Sequence, residues 1–271
     1  MTNKDINENV IKENWDGIWK AHNKSLFSFF EKLFYSIFKN QFSGISVYKQ
    51  LEKIISETHT ADNTFSIIEC GCGSGLIQKL IFEKYKSYTS FLDISKEALK
   101  LTRSNLGDIA DNKKIKFIEG SILSIPLPAS SYDYVWNSGV LEHFNAEDQI
   151  KAVTEMYRIT KPGGKVIIII PSTYGKIYMR MKMRAERLGT WQAGYEKPLA
   201  SMKELLPEFI KQDQYREFSS GFVSQLHYLK YIFKNKAIRN LSIPFLEIIQ
   251  RMLFVFENKP GYFLIGIIDK K

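Results

Sequence analysis

The stretch IIECGCGSGLIQKL, residues 67–80, places an apolar run directly before three alternating glycines and a segment with helical spacing. The run FSIIEC (65–70) is β-branched and apolar, which is typical of a buried strand, and GLIQKLIFEKYK (75–86) has the apolar spacing of a helix. Glycine is favoured where a chain turns sharply and its backbone must approach a ligand closely. The stretch therefore predicts a ligand-binding loop between a strand and a helix.

Strand and helix patterns continue to alternate on the C-terminal side of this loop. Strands are predicted at 87–95, 114–120, 131–139 and after the KPGG turn within 161–172, and helices at 95–107 and 145–160. This alternation predicts an α/β fold with a doubly wound, parallel sheet.

Two segments do not belong to the alternation. Residues 25–42 are strongly aromatic at helical spacing, which predicts a helix that covers the sheet edge or the cofactor, or alternatively an amphipathic helix on a membrane. Residues 173–235 are basic and aromatic without strand alternation and predict a helical cap. The predicted organisation is an N-terminal helical segment covering the site (1–60), a cofactor-binding core (61–172), the cap insertion (173–235) and a C-terminal helix with a final strand (236–271).

Composition limits the classes of site and compartment. The 271 residues include 2 cysteines in a Cys-Gly-Cys spacing, which provides neither a disulfide framework nor a tetrahedral metal site. The N-terminus is polar and does not read as a signal peptide, and the longest apolar runs are too short to span a bilayer. We therefore expect a reduced, cytoplasmic protein without a metal, whose cysteines are small apolar fillers.

The positive charge is concentrated in the last part of the chain. Residues 1–160 carry 19 Lys and Arg against 20 Asp and Glu, whereas residues 161–271 carry 19 against 9. This distribution fits either a solvated lysine-rich surface or a surface that faces an anionic substrate, a membrane or nucleic acid.

The glycine spacing distinguishes among nucleotide loops. A dinucleotide loop reads G-x-G-x-x-G, but the third glycine position is occupied by Leu76, and no Gly-Lys-Ser/Thr follows as in a phosphate loop. Asp93 lies at the end of the next predicted strand, 22 residues after Gly71. A carboxylate at that place can accept hydrogen bonds from two ribose hydroxyls, so we expect a nucleoside-containing ligand.

Residues 65–172 resemble the class I S-adenosylmethionine-dependent methyltransferases. The ordered motifs are IIECGCGSG, FLDIS, IEGSI, YDYVWNSGVLEHF and KPGGKVIIIIPS, and the LEH triplet is similar to that of small-molecule enzymes of the ubiquinone and menaquinone pathways. The resemblance implies a seven-stranded, mostly parallel Rossmann-like sheet, S-adenosyl-L-methionine as cofactor and S-adenosyl-L-homocysteine as product.

The resemblance also implies roles for individual residues. The methionine moiety would contact Glu69 and the loop of Gly71, Cys72, Gly73 and Gly75. The ribose would contact Asp93, and the adenine would pack on Ile94. Many family members have an acidic residue after the third strand, whereas this chain has Ser121, so we expect adenine contacts from Ser121 or the backbone of Ile122.

Residues after the fourth predicted strand are the candidates for catalysis. The electrophilic cofactor needs an aligned nucleophile, and a base only when that nucleophile carries a proton. Asn137 ends the strand and is expected to line the cleft, whereas Glu142 and His143 are candidates for substrate contact or proton removal. The alternative for both is a structural role at the start of the next helix.

The sequence leaves several functions open. Amino methylation of nucleic acid is usually accompanied by an Asn/Asp-Pro-Pro-aromatic motif, and the sequence here is NSGV, which argues against that substrate although the basic cap keeps RNA as an alternative. A non-catalytic binding module is a further alternative, as is a nicotinamide oxidoreductase, which the glycine spacing disfavours.

The acceptor is expected to be a small molecule. Aromatic residues of the cap mixed with Arg180 and Arg184 fit an amphipathic, anionic or lipid-linked metabolite methylated on oxygen or carbon, unless those aromatics form only the core of the cap. No obligate protein partner is indicated.

Overall fold

The computed structural model describes residues 8–24, 42–60, 64–191 and 193–271. The predicted aromatic helix at 25–42 lies outside these residues except for Phe42, which begins a helix. The helices are α1 (Glu8–Lys24), α2 (Phe42–Ser56), α3 (Leu76–Tyr85), α4 (Lys96–Leu106), α5 (Ala146–Ile159), α6 (Lys176–Arg187) and α7 (Lys236–Met252). The strands are β1 (Ser66–Cys70), β2 (Tyr88–Asp93), β3 (Ile115–Glu119), β4 (Tyr132–Ser138), β5 (Thr160–Pro171), β6 (Tyr215–Gly221) and β7 (Pro260–Asp269).

The strands form one seven-stranded sheet in the order β3-β2-β1-β4-β5-β7-β6. The pairs among β1 to β5 are parallel, and β7 runs antiparallel to both β5 and β6. The predicted α/β, doubly wound and mostly parallel fold is confirmed.

Alternation along the strands divides the core into two layers. Ile68 of β1 packs with α5 on one face, and Ile67 packs with α2 and α3 on the other. Both residues are fully buried, which explains why these strands read as continuous apolar runs and not as alternating ones.

The segment 173–235 differs from its prediction. It contains α6 and a run of short helical turns at Ser224–Ile232, but it also contains β6, which pairs with β7 at the edge of the sheet. The predicted helical cap therefore also contains an edge strand, which the prediction did not include. Strand β6 alternates between half-buried and exposed residues and has one ladder partner, so its sequence YREFSSG lacks the apolar run of a central strand.

A smaller difference concerns residues 161–164. Strand β5 begins at Thr160, and its pairing with β4 shifts register between Tyr132 and Tyr134, so the predicted KPGG turn is an irregular part of the strand. Within the described part of the chain, no helix has the length and apolar character needed to cross a bilayer.

Candidate functional site

The glycine loop lies at the carboxyl end of β1, between β2 and β4. The backbone N–H groups of Gly71 and Cys72 both donate to the carbonyl of Leu92, at 2.7 and 3.0 Å, which fixes the loop against β2. Because the chain runs from β1 outward to β3 and then returns to β4, this is the point at which the strand order reverses. Open α/β sheets bind ligands there.

The three glycines of the loop all have positive φ, and Gly73 and Gly75 show what the absence of a side chain permits. Gly73 has φ +51°, and a Cβ at this position would lie 3.0 Å from the indole of Trp19 in α1. Gly75 has φ +66°, and a Cβ there would lie 2.4 Å from Cγ2 of Thr102. Gly73 therefore opens the loop toward the cleft, and Gly75 permits close packing of α3 against α4.

We expect Gly75→Ala to lower the free energy of unfolding by about 3 kcal/mol, because it combines a strained backbone with a core overlap. Urea denaturation measures this change. Gly189→Ala is the matched control, since Gly189 has φ +63° with no described atom within 4 Å of an added Cβ, and we expect it to cost about 1 kcal/mol. Equal losses for the two variants would show that the contact with Thr102 contributes nothing.

Cys70 at the end of β1 and Cys72 in the glycine loop are both structural. Cys70 is fully buried and Cys72 nearly so, and burial raises the pKa of both thiols above the ordinary value. A thiol that stays protonated is a poor nucleophile and a poor metal ligand, so both side chains serve as apolar fillers.

Asp93 connects the loop to the start of α4. Its Oδ2 accepts from the backbone N–H of Gly73 and its Oδ1 from that of Ser95, both at 2.9 Å. Burial raises the pKa of Asp93, and these backbone hydrogen bonds oppose the increase. Each carboxylate oxygen has a second lone pair, so Asp93 can hold the loop and still accept from the hydroxyls of a ribose.

Glu69 presents a buried acceptor at the end of β1. Its side chain is 5% exposed, and Oε2 has no hydrogen-bond partner among the described residues. Burial raises the pKa of Glu69 well above its ordinary value, and the nearby charge of Asp93 adds to this. A buried acceptor without a partner fits the amino group of S-adenosylmethionine, so the residues present fit the cofactor that the resemblance implies.

Helix α1 crosses the carboxyl ends of the strands above this loop. Its Glu8 carboxylate accepts from the Ser121 hydroxyl, its Asp16 carboxylate accepts from the Ser95 hydroxyl, and its Trp19 lies over Gly73. The sequence predicted a covering N-terminal segment but did not single out these residues. Tryptophans four residues apart, at 15 and 19, were the available signal, since they share one helix face.

The remaining predicted cofactor residues lie in different surroundings. Ser121 is half-buried and also accepts from the N–H of Leu123 at 2.9 Å, and Ile94 is half-buried beside Asp93. Ile122 packs in the core, which leaves its backbone for any adenine contact.

Asn137 differs from its prediction as a residue that lines the cleft. Strand alternation directs its side chain toward α5, where it is fully buried and donates to the sulfur of Met156 at 3.3 Å. Only its backbone at the end of β4 lies near the cleft.

The turn Leu141–His143 follows β4 and packs beside the glycine loop. A Cβ on Gly71 would lie 2.6 Å from Cγ2 of Val140, which shows how closely the turn approaches the loop. His143 Nδ1 lies 2.6 Å from the carbonyl oxygen of Tyr195. Because a carbonyl only accepts, Nδ1 carries the proton, and Nε2 keeps a lone pair.

Electrostatics distinguish the two candidates for proton transfer. Burial lowers the pKa of His143, so the imidazole is neutral at pH 7. Burial raises the pKa of Glu142 well above its ordinary value, and the carboxylate of Glu196 adds to this, so the protonated form of Glu142 is favoured. Its Oε2 has no hydrogen-bond partner among the described residues. The neutral imidazole is the group that can accept a proton.

The cap places aromatic rings and a carboxyl group behind this turn. Tyr178 donates to the Glu196 carboxylate and packs edge-on to Tyr228 at 4.8 Å between ring centroids. Trp191 stacks on Tyr228 at 6.1 Å, and its indole N–H has no hydrogen-bond partner among the described residues. A cavity between α1 and residues 193–195 is lined in part by Trp15 and His143.

Comparison with known proteins shows what the central part of the chain is similar to. Residues 68–168 match the family model described as a methyltransferase domain. The chain is 36% identical over 104 residues to the uncharacterized methyltransferase YdaC of Bacillus subtilis, covering 38% of this chain and 54% of that protein. It is 29% identical over 106 residues to the demethylmenaquinone methyltransferase of Listeria welshimeri, covering 38% and 44%. The chain thus spans about half the length of these curated relatives.

A solved structure extends the similarity in fold beyond that segment. A SAM-dependent methyltransferase from Thermotoga maritima has a TM-score of 0.60 at 14% identity, covering 96% of this chain and 100% of that chain. The nicotinamide alternative finds no support in these matches. Residues 68–168 are thus similar to a methyltransferase domain, and the strand order and the glycine loop match the fold of class I S-adenosylmethionine-dependent methyltransferases.

Proposed function

We propose that this protein transfers the methyl group of S-adenosylmethionine to an oxygen or carbon atom of a small, lipid-linked molecule. The observation that carries the proposal is the neutral His143, whose tautomer is fixed by the Tyr195 carbonyl and which lies on the turn beside the glycine loop. Bound S-adenosylmethionine supplies the electrophilic methyl group. The protein has to orient the acceptor, exclude water and remove a proton.

In this proposal His143 Nε2 is the general base. It removes the proton of an acceptor hydroxyl, which makes that oxygen, or a ring carbon conjugated with it, the nucleophile. The raised pKa of Glu142 favours its protonated form, in which it serves as a hydrogen-bond donor to the acceptor and not as a base. The half-buried Trp191 of the cap is the apolar contact that we assign to the rest of the acceptor, and the fully buried Tyr178 supports it from behind.

The structure does not support the anionic group that the sequence suggested for the methyl acceptor. Arg180 is exposed, and Arg184 donates to the carbonyls of Tyr231 and Ile232, both at 3.1 Å, so neither guanidinium contacts Glu142 or His143. The carboxylate of Glu196 would moreover repel an anion. The proposal therefore names a neutral acceptor, for which the demethylmenaquinone methyltransferase relative is the model.

The proposal extends to the cap and to the compartment. We assign acceptor binding to residues 173–235 above the core of residues 61–172, and nucleic acid is disfavoured as acceptor because the turn after β4 lacks the proline motif. Both cysteines are free and buried, which suits the reducing cytoplasm.

Two measurements test this proposal. Calorimetry with S-adenosylmethionine is expected to show one binding site, and mass spectrometry is expected to show S-adenosylhomocysteine formed with a hydroquinone that carries a short isoprenoid chain. The matched substrate is the same hydroquinone with both hydroxyls already methylated, which removes the proton that His143 accepts. If an RNA oligonucleotide is methylated and the hydroquinone is not, the proposed acceptor is wrong. If the protein binds the cofactor but methylates no hydroxylated compound, it is a binding module.

A further inference from the structure

Helix α7 exposes a largely apolar face. Its buried residues are Arg239, Leu246 and Gln250, which are 9%, 8% and 1% exposed. The outward residues lie three and four positions apart and are Ile238, Leu241, Phe245, Ile248 and Met252. Leu241 and Met252 are each 78% exposed. A helix in water normally turns its apolar stripe inward, so this face is built for an apolar environment.

The apolar face continues past the end of the helix. Val255 is 79% exposed, and the neighbouring Leu253 and Phe256 are also exposed. The stripe from Ile238 to Met252 alone spans about 21 Å at the rise of an α-helix. This length and continuity exceed the scattered apolar residues that are normal on a protein surface.

The exposed charges around this face all have one sign. Between residues 232 and 260 the exposed charged residues are Lys234 and Lys236, just before and at the start of α7, and Arg251 and Lys259, near its end and beyond it. The acidic residues of the same span are Glu247, which is half-buried, and Glu257, which is buried. An apolar stripe with basic residues at both ends complements an anionic lipid surface.

A second copy of the chain fits this face poorly. Because basic residues lie at both ends of α7, either a parallel or an antiparallel pairing of two copies would bring like charges together. An anionic bilayer accepts both the apolar side chains and the basic ones.

Helix α7 is held firmly enough to present this face. Gln250 Nε2 donates to the carbonyls of Val223 and Ser224, at 3.2 and 3.1 Å. The buried Glu257 accepts from the backbone N–H groups of the same two residues, both at 2.9 Å. These inward polar contacts fix the rotation of the helix about its axis, so the apolar stripe stays outward.

The same helix packs against the cap. Arg239 lies over the ring of Tyr231 at 5.3 Å, and Tyr231 packs on Trp191 at 5.6 Å between ring centroids. A surface seated on α7 would therefore lie next to the aromatic cluster of the cap.

We propose that α7, together with residues 253–256, docks the protein on an anionic membrane surface with its apolar stripe in the interfacial region. The docking does not require methyl transfer. It places the cap of the proposed acceptor site at the bilayer, where a lipid-linked acceptor is available.

Flotation with vesicles tests the docking. The wild-type protein is expected to float with vesicles of phosphatidylcholine containing phosphatidylglycerol, and less with phosphatidylcholine alone or at high salt. The double variant Leu241→Glu with Phe245→Glu is expected to lose about tenfold or more of this binding. Phe209→Glu is the matched control because Phe209 is 53% exposed on another surface, and its binding should equal that of the wild type.

A fluorescent label reports the occupant of the face directly. Because Cys70 and Cys72 are buried, the variant Leu241→Cys can be labelled selectively with a polarity-sensitive dye. Its emission is expected to shift to the blue when anionic vesicles are added, whereas the emission of labelled Phe209→Cys stays unchanged. A blue-shifted emission before vesicles are added, or a dimer by light scattering that Leu241→Glu dissociates, would overturn the proposal.

Cofactor calorimetry separates this proposal from the proposed function. Vesicle binding without S-adenosylmethionine binding would leave the docking surface in place and remove the enzymatic proposal. Normal cofactor binding with no flotation of the wild-type protein would remove the docking proposal and leave the enzymatic proposal in place.

Discussion

The His143→Ala variant is expected to lower kcat by about 10² to 10⁴, the range typical of a lost general base. The Nδ1–H of His143 donates to the Tyr195 carbonyl, so Nε2 is the ring nitrogen that can accept a proton, and the raised pKa of Glu142 favours its protonated form, which is not a base. Single-turnover kinetics with saturating acceptor measures the loss at the chemical step. Calorimetry should show S-adenosylmethionine affinity close to that of the wild type, because His143 lies on the cap side of the turn.

Three comparisons distinguish catalysis by His143 from a structural role. Added imidazole is expected to restore part of the kcat of His143→Ala, which a purely structural defect would not permit. Glu142→Gln is expected to cost far less, because glutamine resembles the protonated Glu142. If Glu142→Gln is as slow as His143→Ala and imidazole restores nothing, the assignment of the base is wrong.

The pH dependence of kcat/KM provides an independent test of His143 as the base. The base must be unprotonated to act, so kcat/KM falls as pH decreases through the pKa of His143 in the free enzyme. Burial lowers that pKa below 6.5, so the acid limb should lie below pH 6.5. In His143→Ala this limb should be absent. An acid limb above pH 7 would show that a different group takes the proton.

Replacing Asp93 with alanine is expected to weaken S-adenosylmethionine binding by about 100-fold or more. The carboxylate holds the loop through the N–H groups of Gly73 and Ser95, and it is the acceptor positioned for the ribose hydroxyls. Charge-assisted hydrogen bonds contribute about 1.5–3 kcal/mol each, so losing two of them accounts for a change of this size. Isothermal titration calorimetry measures it.

A matched control and a modified ligand separate the two roles of Asp93. Asp108→Ala removes the same charge from an exposed position and should leave the affinity unchanged. A cofactor that lacks the 2′-hydroxyl should bind the wild type more weakly, but it should bind Asp93→Ala as weakly as the intact cofactor does. If the missing hydroxyl costs the same affinity in both proteins, Asp93 does not contact the ribose.

The central part of the fold could be predicted because it depends on sequence patterns among neighbouring residues. Buried parallel strands appear in the sequence as short β-branched runs, and the loop after β1 requires glycine at positions 73 and 75. The carboxylate that can accept hydrogen bonds from a ribose is Asp93, at the end of β2 and at a fixed spacing from the loop. The roles of Ser121 and Ile122 in adenine binding stay predictions. The segment 25–41 lies outside the described residues, so the expectation of a helix there also stays a prediction.

The sequence by itself therefore determined the alternation of strands and helices, the ligand loop and the kind of cofactor, because each depends on residues that are close together in the chain. Only the tertiary structure decided the rest. Strand β6 is defined by its pairing with β7, the proton position on His143 is set by a carbonyl 52 residues away, and the outward face of α7 follows from what Arg239 and Gln250 contact. These features depend on contacts between distant segments, and no local pattern of residues encodes such contacts.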